Sequence, residues 1–229
     1  EFFAYGVAKK IVVSNSGSRR FISRFFPFKK KIVLIGNYID TDLFSRKKPK
    51  NKIKENSVLF IGRLNRIKNL RNLIKSLAGT GLALDIIGKG EEREKLVKIA
   101  KKLNVNVNFR GVIKNNLLGE EINRYQVVVL PSIFENNPKV LLEAMSCERI
   151  VIGSDVDGIN EIITTETNGM LCRLDAHSIQ KAIEHTFALP LKEKNIIGKN
   201  ARGYIVKNHS FDTIFKREMR IYCQLLCDR

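Results

Sequence analysis

From residue 57 onward, short apolar runs rich in β-branched residues alternate with amphipathic stretches. Near-continuous apolar strands separated by helices are typical of a parallel sheet buried on both faces. Right-handed crossovers then predict an α/β fold, a Rossmann-like doubly wound domain of about six parallel strands. The strand-like runs are VLFIG (58–62), LALDIIG (82–88), VNFRG (107–111), VVVLPS (127–132), RIVIGSD (149–155) and GMLCRL (169–174).

Helical spacing of apolar residues predicts the connections between these strands. The stretch EEREKLVKIAKKLNV also places acids in its first turns and lysines later, which suits the helix dipole. LLGEEINRY (117–125) and GINEII (158–163) continue the alternation. The predicted helices are NLRNLIKSLAG (69–79), EEREKLVKIAKKLNV (91–105) and SIQKAIEHTFAL (178–189).

Four segments follow from this pattern. Residues 1–44 hold two strand-like runs, AKKIVVSN and KKIVLIGN, around the helical stretch SGSRRFISRFF. One β-α-β unit cannot close a core, so we expect the last unit of a preceding N-terminal domain. Residues 45–56 are predicted as a linker and 57–209 as the main domain. Residues 210–229 are predicted as a Ser-capped helix that packs back toward the N-terminal domain through an apolar strip (Ile214, Phe215, Met219, Tyr222 and Leu226).

The formal net charge of +18 is the most unusual compositional feature. Such charge favours anionic partners: nucleic acid, an acidic membrane surface or phosphorylated ligands. A general bias toward Lys, Asn and Ile explains the charge equally well. The chain has no apolar stretch near 20 residues, no signal-peptide order and no initiator Met, so we expect it to begin inside a longer protein.

The cysteines and histidines lack zinc-ligand spacing, and no metal site is predicted. The four cysteines, with a C-x-x-x-C pair near the end, are expected to be buried free thiols in a reducing cytoplasm. They are Cys147, Cys172, Cys223 and Cys227.

In open parallel sheets, ligands bind beyond the carboxyl ends of the strands. GRLNRIKN (62–69) places Gly62 at a strand end, followed by Arg63 and Lys68, two cations that suit a diphosphate or simply face solvent. GKGEERE (88–94) lacks the full dinucleotide fingerprint, so a nicotinamide cofactor is not predicted. RGVI (110–113) follows a third strand.

The segment FENNPKVLLEAM (134–145) follows a fourth strand. Asn137 is predicted as the cap of a helix with Pro138 at its first position. Capping does not explain Glu135, and Glu143 falls in the second helical turn. Two interpretations of this segment remain open at this point: a capped helix whose acid faces solvent, and a ligand-binding site. Two carboxylates also suggest glycoside hydrolysis, but one loop acid and one helix acid better suit two hydroxyl-bearing parts of one ligand.

Together these segments resemble the retaining glycosyltransferases of family 4, which have the two-domain glycosyltransferase B fold. The family pattern runs from G-R-L with a lysine five residues after the arginine, through G-x-G-x-E-R and L-P-S, to E-G-F-P-x-V-x-L-E-A-M-A-C-G and S-D-V-G-G-I-P-E-I. This chain has GRLNRIK, IIGKGEERE, VVVLPS, ENNPKVLLEAMSCE and GSDVDGINEII in the same order. GNYIDTDLF and TNGMLCRLD extend the resemblance over essentially the whole chain.

The resemblance implies roles for individual residues in transfer of a hexose from a nucleoside-diphosphate sugar, with retention and without a metal. Arg63 and Lys68 are expected to hold the diphosphate, Glu135 to contact the transferred sugar and Glu143 the ribose hydroxyls. Arg63, Lys68 and Glu135 are expected to be catalytic, and Glu143 is expected to bind the donor. The remaining expected donor-binding residues are Gly62, Val112, Ile113, Asn136, Asn137, Pro138, Lys139 and Val140.

The chain departs from the family pattern where Asn136-Asn137 replaces Gly-Phe, and we expect two amide side chains to enter the sugar pocket. By this resemblance we expect only the last unit of the acceptor domain in this sequence, without its histidine, so the chain is expected to bind donor but not to turn over. The expected partners are a sugar nucleotide, a saccharide or lipid-linked acceptor and an anionic inner-membrane surface, in the cytoplasm. The alternatives are a basic nucleic-acid-binding module and a sugar-nucleotide epimerase of the same fold.

Overall fold

The structure is a computed structural model that describes residues 6–25 and 31–227. The predictions for residues 1–5, 26–30 and 228–229 lie outside the described residues. The N-terminal segment forms a β-α-β unit with two parallel strands, and Ile11 pairs with Ile32. Its elements are β1 (Ile11–Val13), α1 (Ser16–Phe25) and β2 (Ile32–Leu34).

The main domain is built on six parallel strands with helices between them. The strands are β3 (Lys54–Ile61), β4 (Ala83–Ile87), β5 (Val107–Phe109), β6 (Tyr125–Leu130), β7 (Ile150–Ser154) and β8 (Met170–Cys172). Their order is β5-β4-β3-β6-β7-β8. The chain therefore winds outward from β3 in one direction and then returns beside β3 to wind in the other. This order confirms the predicted doubly wound Rossmann-like sheet, with its switch point between β3 and β6.

Helices cover both faces of the sheet. Consecutive strand residues such as Val58, Leu59 and Phe60 are fully buried, which requires cover on each face. The helices are α2 (Leu70–Ser76), α3 (Arg93–Lys102), α4 (Asn115–Ile122), α5 (Lys139–Ser146), α6 (Ala176–Ala188), α7 (Leu191–His209) and α8 (Phe211–Cys227). No helix within the described ranges is both long and apolar enough to cross a bilayer.

The segment predicted as a linker is shorter than 45–56. β3 begins at Lys54, whose amide donates to the Arg124 carbonyl at 2.8 Å. The segment before β3 is hydrogen-bonded to Asn123, whose side chain accepts from the Lys47 amide and donates to the Ser45 carbonyl. Pairing with β6 therefore extends β3 back to Lys54, into a polar stretch that the sequence had suggested was a linker.

Helix α8 has the predicted Ser cap, since the Ser210 hydroxyl accepts from the Thr213 amide. Ile214 of the apolar strip is buried, whereas Phe215, Met219, Tyr222 and Leu226 are exposed. The prediction of four buried thiols is wrong for Cys223 and Cys227, which are exposed on the outer faces of this helix. Cys147 and Cys172 are buried as predicted.

The N-terminal unit is docked on the main domain through the start of α1. The Glu161 carboxylate accepts from the Ser16 amide at 2.9 and 3.0 Å and from the Ser16 hydroxyl at 3.0 Å. One guanidinium nitrogen of Arg20 lies 2.7 Å from both carboxylate oxygens of Asp157. An acid at a helix N-terminus is favourable because it meets unpaired amides and the positive end of the dipole. These contacts join the helix that follows β1 to the loop that follows β7.

Candidate active site

A cleft of about 480 Å³ lies at the switch point, where the loops after β3 and β6 diverge. Most of the predicted site residues meet here, from two distant parts of the sequence. The lining includes Gly62, Arg63 and Lys68 from the first loop and residues 135–140 from the second, together with Ile61, Asn65, Ile67 and Phe134. Parallel topology brings these segments together because both strands end at the same edge.

The loop after β3 presents two cations to the cleft. Arg63 is exposed, and Lys68 ends a short 3₁₀ helix, Arg66–Lys68. The Asn65 side chain caps this turn by accepting from the Lys68 amide at 3.3 Å. The Ile133 amide donates to the Ile67 carbonyl at 2.8 Å and so ties the two loops together. The backbone position of Lys68 is therefore set by local capping and by the neighbouring loop.

The G-x-G turn of residues 88–90 supports this loop from behind. The Gly62 amide donates to the Ile87 carbonyl, and the Leu64 amide donates to the Lys89 carbonyl, both at 2.9 Å. A Cβ atom on Gly88 would lie 1.9 Å from the Gly62 carbonyl oxygen. The glycine thus permits backbone-to-backbone contact between two loops.

Lys68 and Glu135 form an ion pair on the wall of the cleft, with side chains 19% and 11% exposed. The Glu135 carboxylate also accepts from the buried Ser132 hydroxyl at 2.7 Å. Ser132 in turn accepts, through its carbonyl, a hydrogen bond from the Ser154 hydroxyl at the end of β7. Glu135 is thus held by two loops, an arrangement that capping alone does not require. Ser132 was a missed site residue, although it belongs to the L-P-S segment.

The prediction of Asn137 as the helix cap is wrong. Helix α5 begins at Lys139, Pro138 occupies the cap position, and no side chain caps that position. The Asn137 side-chain oxygen instead accepts from the Asn37 amide at 2.8 Å. Asn136 likewise accepts from the Asn15 side chain, at 2.8 Å through its carbonyl and 3.2 Å through its side-chain oxygen. The pair lines the cleft, but its amide oxygens bind the N-terminal unit.

Glu143 lies outside the lining of this cleft. It is 8% exposed on α5, so the solvent-facing interpretation is wrong. Burial raises the pKa of its carboxyl to about 7, and the Lys139 charge opposes that increase. The carboxyl is thus the most strongly perturbed acid near the site, and its contact with a ribose stays a prediction.

The folded protein should lose stability as the pH rises through the titration of Glu143. Its pKa rises from 4.5 in the unfolded chain to about 7, so the folded state binds more protons between these values. The contribution of Glu143 to the free energy of unfolding is fully present below pH 4.5, decreases between pH 4.5 and pH 7 and no longer changes above pH 7. The shift corresponds to about 3 kcal/mol at most. Urea unfolding at pH 5 and pH 8 measures the free energy of unfolding of Glu143→Gln minus that of the wild type. This difference should be about 2–3 kcal/mol more favourable to the variant at pH 8 than at pH 5.

Comparison with this single variant isolates Glu143, because the other titrating groups are common to both proteins. His209, whose pKa is lowered by burial, contributes equally to each. An equal difference between variant and wild type at the two pH values would contradict the assignment.

Val112 and Ile113 are not brought into the cleft lining. Val112 is 68% exposed, and Ile113 packs against the core of the main domain. Their loop follows β5 at the outer edge of the sheet, two strands away from β3. A role beside a nucleotide base stays a prediction.

Residues 42–204 match the family model described as Glycosyl transferases group 1. The chain belongs to this family. An uncharacterised glycosyltransferase of Methanocaldococcus jannaschii is 30% identical over 175 residues, which cover 73% of this chain and 45% of that protein. A Campylobacter jejuni protein named N-acetylgalactosamine-N,N'-diacetylbacillosaminyl-diphospho-undecaprenol 4-alpha-N-acetylgalactosaminyltransferase is 28% identical over 182 residues, covering 75% and 48% of the two chains.

The chain thus spans about half the length of these curated relatives. Among solved structures, Anabaena HepE in complex with UDP and glucose superposes with a TM-score of 0.87 at 18% identity, covering 96% of this chain and 65% of that one. That likeness shows the shared fold, and the comparisons confirm the predicted glycosyltransferase family and its B fold. Family membership also favours a transferase over the nucleic-acid-binding and epimerase alternatives.

Proposed function

We propose that the chain is the donor-binding part of a retaining glycosyltransferase that uses a nucleoside-diphosphate sugar. The observation that carries the proposal is the convergence of Arg63, Lys68 and the start of α5 on one cleft at the switch point. Two cations and a helix N-terminus provide positive charge and amide donors for a diphosphate. HepE, which shares the fold, binds UDP and glucose, and this supports the same ligand class here.

The charged residues have separate roles in the transfer step. The bond between the anomeric carbon and the diphosphate oxygen breaks, and Arg63 and Lys68 stabilise the charge left on that oxygen. The acceptor hydroxyl oxygen bonds to the anomeric carbon on the same face, and its proton passes to the departing phosphate oxygen. Glu135 contacts the transferred sugar, and Glu143 contacts the ribose. The cations perform the charge stabilisation, so no metal is proposed.

The product is proposed to be a surface polysaccharide or glycolipid. The C. jejuni relative is named for a diphospho-undecaprenol-linked saccharide, which supports a lipid-linked acceptor. A net charge of +18 suits a diphosphate-linked lipid and contact with the anionic inner face of a membrane. Because the chain spans about half of its relatives, we propose that it binds donor and that transfer also needs an acceptor-binding part.

A thermal-shift panel of uridine, guanosine and other nucleotide sugars tests donor binding. One donor should raise the Tm, by several degrees at about 100 times its Kd, because a ligand that binds only the folded state stabilises it. Arg63→Ala should abolish the increase. Lys101→Ala, which removes an exposed charge on α3, is the matched control and should keep it.

If no nucleotide sugar raises the Tm of the wild type, the proposal of a donor site is wrong. An equal loss with Lys101→Ala would show that net charge, rather than the cleft, produces the effect. Unchanged protection when a chelator is present is expected, since the proposed site uses no metal.

A further inference from the structure

The loop at residues 134–138 has a second set of contacts, on the side that faces the N-terminal unit. Asn15 donates to both oxygens of Asn136, and its own side-chain oxygen accepts from the Ser18 amide at 2.6 Å. Asn15 is therefore fixed by capping the start of α1 while it binds Asn136. This contact joins residues that are 121 positions apart in the sequence.

Asn137 makes the equivalent contact with the segment after β2. The Asn37 amide donates to its side-chain oxygen, and the Asn37 side chain donates to its carbonyl at 2.5 Å. A Cβ atom on Gly36 would lie 3.1 Å from the Asn137 side-chain nitrogen, so a glycine there allows close approach. The Asn37 carbonyl is in turn 3.0 Å from the Nδ1 atom of buried His209.

The opposite side of the loop is also packed. A Cβ atom on Gly158 would lie 2.3 Å from the Asn136 carbonyl oxygen. The Asn136 peptide is therefore enclosed between the loop after β7 and the N-terminal unit. The loop is therefore in contact with both the N-terminal unit and the main domain.

We propose that Asn136 and Asn137 are positioning residues that hold the N-terminal unit against the loop that lines the cleft by accepting hydrogen bonds, and do not select the sugar. The Gly-Phe of the family pattern offers no side-chain acceptor at either position. The proposal goes beyond donor binding and does not depend on which nucleotide the cleft takes. It replaces the expectation that both amides enter a sugar pocket.

Hydrogen exchange of the 229-residue chain tests this assignment, with one variant that removes the acceptors and one that keeps them. Asn136→Ala/Asn137→Ala should speed exchange of the amides at 15–18 and 35–37 by about 10-fold to 50-fold, as two hydrogen bonds of about 1 kcal/mol are lost. Asn136→Asp/Asn137→Asp should exchange at close to the wild-type rate, because a carboxylate is also an acceptor. Asn160→Ala is the matched control, since that side chain donates to Asp155 and should leave these amides unchanged.

Exchange in β3 and β6 serves as an internal measure of folding. If the double alanine variant exposes these strands too, Asn137→Ala alone is compared at 35–37. Unchanged exchange at 15–18 and 35–37 in the alanine variants overturns the proposal, and so does an aspartate variant whose exchange is as fast as that of the alanine variant.

The rank order of sugar nucleotides in the thermal-shift panel should be the same in wild type and double alanine variant. A new sugar preference with unchanged exchange assigns the pair to the sugar instead, and a panel in which no nucleotide binds leaves the exchange result standing.

Discussion

Lys68→Ala is expected to weaken binding of a nucleoside-diphosphate sugar by about 100-fold or more. A hydrogen bond to a charged group contributes about 1.5–3 kcal/mol, and tenfold in affinity is about 1.4 kcal/mol. The variant also leaves the Glu135 carboxylate without its cation on the wall of the cleft, where it is 11% exposed. An unpaired carboxylate there repels a diphosphate, which adds to the loss of attraction. Isothermal titration with the donor selected by the thermal-shift panel measures the change.

Two further variants separate the local effect from the loss of a positive charge. Lys75→Ala removes a lysine of α2 that is exposed, and it should change the Kd less than about threefold because exposed charges are screened. Lys68→Ala/Glu135→Gln removes both charges and should bind more tightly than Lys68→Ala alone. Equal binding by Lys68→Ala and wild type would remove Lys68 from the site.

The parallel sheet could be predicted because its signal is local. Runs such as VLFIG and VVVLPS are apolar at consecutive positions, which is how strands buried on both faces read. The resemblance to the glycosyltransferase family assigned Arg63, Lys68 and Glu135 to one ligand, and the structure places all three in one cleft. The contact between the G-x-G turn and the loop after β3 could not be predicted from the sequence, because it depends on the separation of two backbone segments in the folded protein.

The errors fall where a residue has a distant partner. Asn137 resembles a cap in its own sequence, yet Asn37, 100 residues away, occupies its side-chain oxygen. The pattern of α5 left the exposure of Glu143 open, because that exposure depends on what packs against the helix. Helix α7 packs on α5 in the structure, and α7 was not predicted.

Helix α7 could have been found from its spacing. Pro190 precedes its first residue, and buried Ile197, Ala201 and Ile205 recur at intervals of four. Polar residues and two glycines separate them, so the apolar stripe is narrow. A narrow stripe is a weak signal in a sequence, although it suffices once the main domain supplies a surface.

Gly88→Ala is expected to destabilise the fold by about 3 kcal/mol or more, because the new Cβ meets backbone and a positive φ is strained for an L residue. The Cβ would lie 1.9 Å from the Gly62 carbonyl oxygen, and φ at Gly88 is +144°. The Gly62 loop must move to relieve the contact, and Arg63 moves with it. Urea unfolding measures the stability, and titration with the donor measures the displacement of the cleft wall.

Two glycines in open space separate the contributions of strain and collision. Gly79→Ala adds a Cβ with nothing within 4 Å at φ +78°, so it carries the strain alone, about 1 kcal/mol. Gly203→Ala lies in α7 with nothing within 4 Å and should stabilise the helix by about 0.5–1 kcal/mol. The excess of Gly88→Ala over Gly79→Ala is then the energy of contact between the loops together with the greater strain of φ +144° than of φ +78°. Only Gly88→Ala should also weaken donor binding, because the other two glycines do not support the loop that presents Arg63. If Gly88→Ala and Gly79→Ala cost the same, the G-x-G turn does not press on that loop.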